Sequence, residues 1–244
     1  MPRPSGRPAP DAAEIESRVL YKDSLILVID KPPGLPVHQG PGGGPNLEQS
    51  FVHLRYGLPR APALAHRLDR DTSGCLVLGR HPKALAKLGK LFSGGRAEKT
   101  YWAVVRGRPP EDAGTIDMPL AKLTPKRGWR MVVSPQGQPA VTDYRLMGTS
   151  ADGALSWLEL SPRTGRTHQI RVHCAEIGCP IVGEPIYGRP ETSSPEGAPE
   201  PEEVLHLLAR AIRLPLYPSR EPVEVTAAPP PHMLAALRAC GYLG

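Results

Sequence analysis

The chain of 244 residues has little of what marks several protein classes. Its four cysteines, Cys75, Cys174, Cys179 and Cys240, are too few for a disulfide-stapled scaffold, and no CxxC pair suggests zinc. Aromatic residues make up only 5%. The longest uncharged apolar runs, such as Leu25–Ile29, fall far short of the ~20 residues that a membrane helix needs. The opening residues, MPRPSGRPAPDAAE, have no apolar centre and do not read as a signal peptide. No Walker A or GxGxxG loop is present. The GPGGGP run at 40–45 lacks the Lys-Ser/Thr and the helix that should follow it. What remains is a chain 40% hydrophobic, too apolar to be wholly disordered and expected to be cytoplasmic.

Proline and glycine are plentiful, at 31 and 25 residues. Many of them fall in two places. Residues 1–17 are Pro-rich and polar and are expected to be disordered. Residues 189–203 read as an acidic, Pro-rich, mobile insertion within a single domain over 18–244. The stretch 190–203 holds five Glu and no Lys or Arg, so the net charge of +6 becomes +11 on the other 230 residues. Between Arg60 and Arg108, eleven Lys and Arg face three carboxylates. Such clustering suits a polyanion, although a solvated basic surface has the same composition.

The apolar pattern alternates between strands and helices. Ser24–Asp30, Gly74–Gly79 and Thr100–Val105 read as strands, as do Val141–Leu146, Leu155–Leu160, Leu205–Leu214 and Val223–Thr226. Asn46–Leu54, Pro82–Leu91, Thr167–Ile177 and His232–Ala239 read as helices. Strands come in groups with few helices between them. This predicts an α+β fold with a large mixed, mostly antiparallel sheet and flanking helices.

Four stretches carry residues with chemistry. In AHRLDRDTSG (65–74), Asp69 reads as a nucleophile, a general base or an ion-pair partner. Asp69 with Asp71 also reads as a metal pair or a turn cap. The side chains of Asp71, Thr72 and Ser73 suit the amides of a turn, which would leave Asp69 to project elsewhere. In SPRTGRTHQIRVH (161–173), Arg166 and Thr167 at a helix head suit phosphate. His168 and His173 are five apart, off the i,i+4 spacing of a helical metal pair. Arg171 suits a buried carboxylate, whose pKa it would lower. In EKTYWAVVRG (98–107), Tyr101 and Ala103 face one side of a strand, and Trp102 and Val104 the other. One ring should meet a core and the other is placed for a ligand. DKPPGLPVH (30–38) reads by itself only as a turn after a strand.

Taken in order, these four stretches resemble the RluA family of RNA pseudouridine synthases, over about residues 18–240. The resemblance implies the pseudouridine synthase fold with a central catalytic cleft. It implies an isomerase that flips out specific uridines of structured RNA, a large-subunit ribosomal RNA or a transfer-RNA stem-loop, and converts them to pseudouridine. No cofactor, metal, membrane or required protein partner is implied, and the chain is expected to be a monomer. Asp69 matches the family's catalytic aspartate. Arg67 matches the arginine that fills the gap left by the flipped uridine. Tyr101 matches the tyrosine that stacks on the base and is a proposed proton acceptor. Ile170 matches the apolar residue packed against the base, and Arg171 the arginine paired with the catalytic carboxylate. His66, Arg166, Thr167 and His168, in the same motifs, are expected to contact substrate. Two departures, Gly183-Glu184 for Gly-Asp and Leu205-His206-Leu207 for LHA, are expected to lie apart from the chemistry. The N-terminal RNA-binding module of larger members is not expected here. Two other classes stand beside this reading: an RNA-binding protein that keeps the fold without catalysis, and an N-glycosidase using Asp69 and Asp71 as a pair.

Overall fold

The structure is a computed structural model and describes residues 7–40, 43–123, 130–188 and 203–244. The first half of the chain runs α1 (Ala12–Ser17), β1 (Val19–Lys22), β2 (Ile26–Lys31), a 3-10 helix (Leu47–Leu54), β3 (Ala63–Leu64), β4 (Ser73–Gly79), α2 (Pro82–Ser93) and β5 (Glu98–Arg106). It continues with β6 (Ala113–Asp117), β7 (Leu120–Leu123), β8 (Arg130–Val133), β9 (Val141–Thr149) and β10 (Leu155–Pro162). The remainder is α3 (Gln169–Glu176), β11 (Leu207–Leu214), β12 (Val223–Thr226) and α4 (Pro231–Ala239). The class is α+β, and the residues fall into two compact units: Met1–Lys99 with Ala209–Ala228, and Thr100–Leu208 with Pro229–Gly244. Most of the insertion expected at 189–203 lies outside the described residues. No helix among the described residues is long and apolar enough to cross a membrane.

In the first unit the strand order is β1-β2-β4-β11, with β3 beside β4 and β12 beside β11. β2 and β4 pair antiparallel from Ile26 opposite Gly79 to Lys31 opposite Gly74. Every residue of β4, and all of β2 except Asp30, is buried. That burial on both faces is why both read as unbroken apolar runs rather than as alternation. α2 starts at Pro82, and the His81 ring accepts the Ala84 N–H at 3.2 Å to cap it. Ala84, Leu88 and Leu91 bury one stripe of this helix at i, i+4 and i+7 spacing. Residues 12–17, expected to be disordered, form α1 instead. The Asp11 carboxylate accepts the Glu14 N–H, and Ile15 is fully buried where the helix meets the 3-10 helix. A single buried side chain and a cap order a stretch whose average composition is polar.

In the second unit the order is β5-β10-β9-β6, all antiparallel. The strand alternation places Ala103, Val105, Leu158 and Leu160 in one core with Ile170 and Cys174 of α3. Trp102, on the other face of β5, meets Trp157 and Tyr242 edge-on, with ring centroids 4.7 and 5.6 Å away. A separate two-stranded sheet pairs β7 with β8. β9 carries Gly148 at the bulge between Trp157 and Leu158, and the Cys240 carbonyl at the end of α4 occupies the place where a Cβ would stand. Gly148→Ala is therefore expected to force the backbone apart at a cost of about 1–3 kcal/mol. A lowered Tm in thermal unfolding is the measurement, and an unchanged Tm would contradict this close approach.

Candidate active site

In the first unit the loop 67–72 leads into β4. It is held by Lys31, the last residue of β2 and the lysine of DKPPG. Lys31 is fully buried. Its Nζ donates to the carbonyls of Pro32, Arg70 and Thr72, each at 2.8 Å. An ammonium has three N–H groups and a neutral amine two, so only the charged form satisfies all three carbonyls. Burial pulls the Lys31 pKa down to about 7, and the charges of Asp71 and Asp69 oppose that shift. Arg70 Nε donates to the Gly34 carbonyl at 3.2 Å, and Gly34 closes the Pro-Pro-Gly turn at φ 78°, where a side chain would be strained. Leu68 is buried, Thr72 and Ser73 likewise. The half-buried Asp69 thus sits on a backbone fixed on both sides.

The neighbours of Asp69 have separate uses. Arg67 is exposed. His66 Nε2 accepts the Val77 N–H at 3.0 Å, and its ring stacks on Phe92 with centroids 4.7 Å apart. Burial, with the Lys99 charge adding, lowers the His66 pKa to about 4, so the ring is neutral near pH 7. Its acceptor nitrogen is therefore engaged within the fold. Asp71 lies 3.7 Å from Arg70.

In the second unit Tyr101 on β5 packs, partly buried, against the core that contains Ile170. It is opposite Leu160 of β10. The start of α3 is fixed by Gln169. Its Oε1 accepts from the Arg166 N–H and the Thr164 hydroxyl, and its Nε2 donates to the Val141 carbonyl and Thr142 Oγ1. Buried His173 lies 2.9 Å from the same Thr142 oxygen and 3.1 Å from the Met118 carbonyl. Arg166 and Thr167 are exposed in the turn before α3, and Arg166 Nε donates to the Pro139 carbonyl. His168 takes a left-handed backbone, φ 53°, and its Nδ1 is 2.8 Å from the Tyr187 hydroxyl. That hydroxyl accepts the Met131 N–H.

Arg171 is 3% exposed. Its Nε and Nη2 donate to the two oxygens of Glu184 at 2.7 and 2.8 Å, a bidentate pair inside the protein. Glu184 Oε1 also accepts the N–H groups of Ile186 and Tyr187. The guanidinium lies over the Tyr187 ring, 5.6 Å from its centroid. Glu184, expected to lie apart from the chemistry, therefore orients Arg171. Sequence reading missed both Lys31 and Glu184. A lysine at the end of the apolar run Ile26–Ile29, just before the Pro-Pro-Gly turn, and an acid directly after a glycine, were the signals to be found.

Comparisons with known proteins point the same way. The family described as RNA pseudouridylate synthase matches residues 25–176. An RNA pseudouridine synthase of Zymomonas mobilis is 46% identical over 160 residues, 65% of this chain and 72% of its own. The ribosomal large subunit pseudouridine synthase C of Buchnera aphidicola is 36% identical over 167 residues, 68% of this chain and 52% of its own. Human RNA pseudouridylate synthase domain containing 4 matches with a TM-score of 0.76 and 27% identity, over 93% of this chain and 94% of its own. Fold and motifs thus define an RNA pseudouridine synthase, an isomerase. The chain belongs to the RluA family of these enzymes. The match spans about half the length of the Buchnera relative.

Two tests follow from the geometry. Lys31→Met removes three hydrogen bonds and leaves three carbonyls, each costing about 1–3 kcal/mol if buried without a partner. The expected result is a lower Tm and faster amide exchange at residues 70–72; unchanged exchange there would show that Lys31 does not hold the loop. Glu184→Ala leaves a buried guanidinium without its carboxylate, at about 3–5 kcal/mol. Glu184→Gln keeps the shape and loses the charge, and should lower kcat more than it raises KM. Wild-type kinetics in a folded Glu184→Gln variant would rule out the positioning role.

Proposed function

We propose that this chain converts specific uridines of structured RNA to pseudouridine, with Asp69 as the nucleophile and the target nucleotide flipped out of its helix. Ribosomal large-subunit RNA and transfer RNA are the substrate classes, and the likeness to a ribosomal large subunit pseudouridine synthase of Buchnera favours the first. The reaction breaks the bond from uracil N1 to ribose C1′ and joins C5 to C1′. The C5 proton leaves and N1 gains one, so no atoms or electrons enter or depart.

Asp69 supplies the carboxylate, which attacks C1′ or stabilises an oxocarbenium-like centre on the way to a glycal. Tyr101 stacks on the detached base and takes a proton, a role typically worth ~100- to 10,000-fold. Ile170 packs against the base, and Arg171, oriented by Glu184, is the arginine that the family resemblance assigns to the catalytic aspartate. Flipping costs a few kcal/mol of stacking, which Arg67 offsets by filling the gap. Arg166, Thr167 and His168 contact the RNA strand. The enzyme acts as a monomer in the cytoplasm, without a protein partner.

The observation that carries this reading is the loop around Asp69, pinned by Lys31 at Arg70 and Thr72. A nucleophile must be held in place before substrate arrives, and this backbone is. Asp69→Asn is expected to fold and bind RNA as the wild type does and to release no tritium from RNA labelled at uracil C5. Release at the wild-type rate would remove Asp69 from the role. Pseudouridine mapping in total RNA from a deletion strain identifies the position modified.

A further inference from the structure

The first unit carries a cationic surface at the end of β2 opposite the Asp69 loop. The two ends are about 17 Å apart, from five residue steps of extended strand. The surface is organised by Asp23, in the turn from β1 to β2. One carboxylate oxygen accepts the hydroxyls of Tyr21 and Tyr217 at 2.9 and 2.7 Å. The other accepts the N–H groups of Leu25 and Ile26. Both its oxygens are engaged within the fold, so its charge serves the turn. Arg80 donates to the Asp23 carbonyl and to that of Tyr56, joining the end of β4 to the residues after the 3-10 helix.

Two of the three tyrosine rings here, those of Tyr56 and Tyr217, have cations over them. Lys22 Nζ stands 4.0 Å from the Tyr56 centroid. Lys87 Nζ and the Arg220 guanidinium each stand 5.4 Å from that of Tyr217. Lys87 belongs to a stripe with Lys83 and Lys90 on α2, which has no acidic residue in its sequence. A cavity of about 360 Å³ opens beside Tyr217, Ser219 and Arg220. Asp23 is engaged within the fold, Glu16 lies near Tyr56 and Glu221 follows Arg220, and Lys22, Arg80, Lys83, Lys87, Lys90 and Arg220 outnumber these three carboxylates. Rings covered in this way are not platforms for bases. They hold positive groups in place, which reduces the side-chain entropy lost when an anion binds.

We propose that this surface is a second RNA-binding site, which grips phosphates of the RNA backbone away from the uridine being modified and without reading sequence. It rests on the reading of the chain as an RNA-modifying enzyme. The test replaces Lys22, Lys87 and Arg220 by Gln together, none of them in the catalytic machinery. The probes are a fluorescent, unmodified transcript of large-subunit ribosomal RNA and one of transfer RNA. Every phosphate that is no longer neutralised lowers the slope of log affinity against log salt by about 0.7–0.9. The slope is expected to fall by about two and Kd at low salt to rise about tenfold on both RNAs, with Tm and kcat at saturating RNA unchanged. Ser219→Glu, which places an anion beside Arg220, should weaken binding in the same direction. An unchanged slope, or weakening confined to one RNA, overturns the proposal. Binding is measured in the Asp69→Asn background too, so it needs no turnover. A wild type that forms no pseudouridine would defeat the functional reading, while the salt slope still decides this surface.

Discussion

The first unit depends on one buried charge. Lys31 lies fully buried at the end of a strand, and its ammonium is satisfied only because the chain returns after Arg67 to present two carbonyls. Placing a cation in an apolar strand end is costly unless every proton finds an acceptor. The loop therefore cannot relax away without exposing that cost. The same interaction that keeps Lys31 tolerable keeps the backbone beside Asp69 in one conformation. Stability and the placing of a carboxylate are here a single matter.

The second unit uses the opposite sign in a similar way. Arg171 is buried and bidentate with Glu184, and Glu184 is held by two amides of the following turn. Gln169 Nε2 and His173 tie the same helix to Val141 and Thr142 of β9. A helix of only eight residues has little stability of its own. Its side chains are positioned by polar groups on neighbouring strands rather than by its own ladder. The helix begins at Gln169, so Arg166 and Thr167 belong to the turn ahead of it.

The sequence made the long elements legible. β2, β4, α2, β5 and β10 are apolar runs or helical stripes whose burial follows directly from their pattern. α1 was hidden because one buried isoleucine does not make a period. The short β7–β8 pair was hidden because its exposed residues break alternation. At the candidate site, strand alternation separated the two rings of β5, and Trp102 took the tryptophan–tyrosine cluster while Tyr101 joined the core of Ile170. What stayed illegible was pairing at a distance. The carbonyls that receive Lys31 lie 39 and 41 residues away, and a backbone carbonyl carries no signature in a sequence. Glu184 is 13 residues from Arg171 across a glycine turn, and no helical or strand spacing connects them.

The chain favours arginine strongly, with 22 against eight lysines. At position 31 that preference meets a limit of shape. Three carbonyls converge on a single nitrogen, an arrangement that suits a compact ammonium with its protons spread around one atom. A guanidinium is flat and spreads its donors over three nitrogens. The two basic side chains, exchangeable over much of a solvated surface, are therefore different parts here. An arginine at this residue could not meet all three carbonyls in the same way, because the backbone has been folded around a point and not a plane.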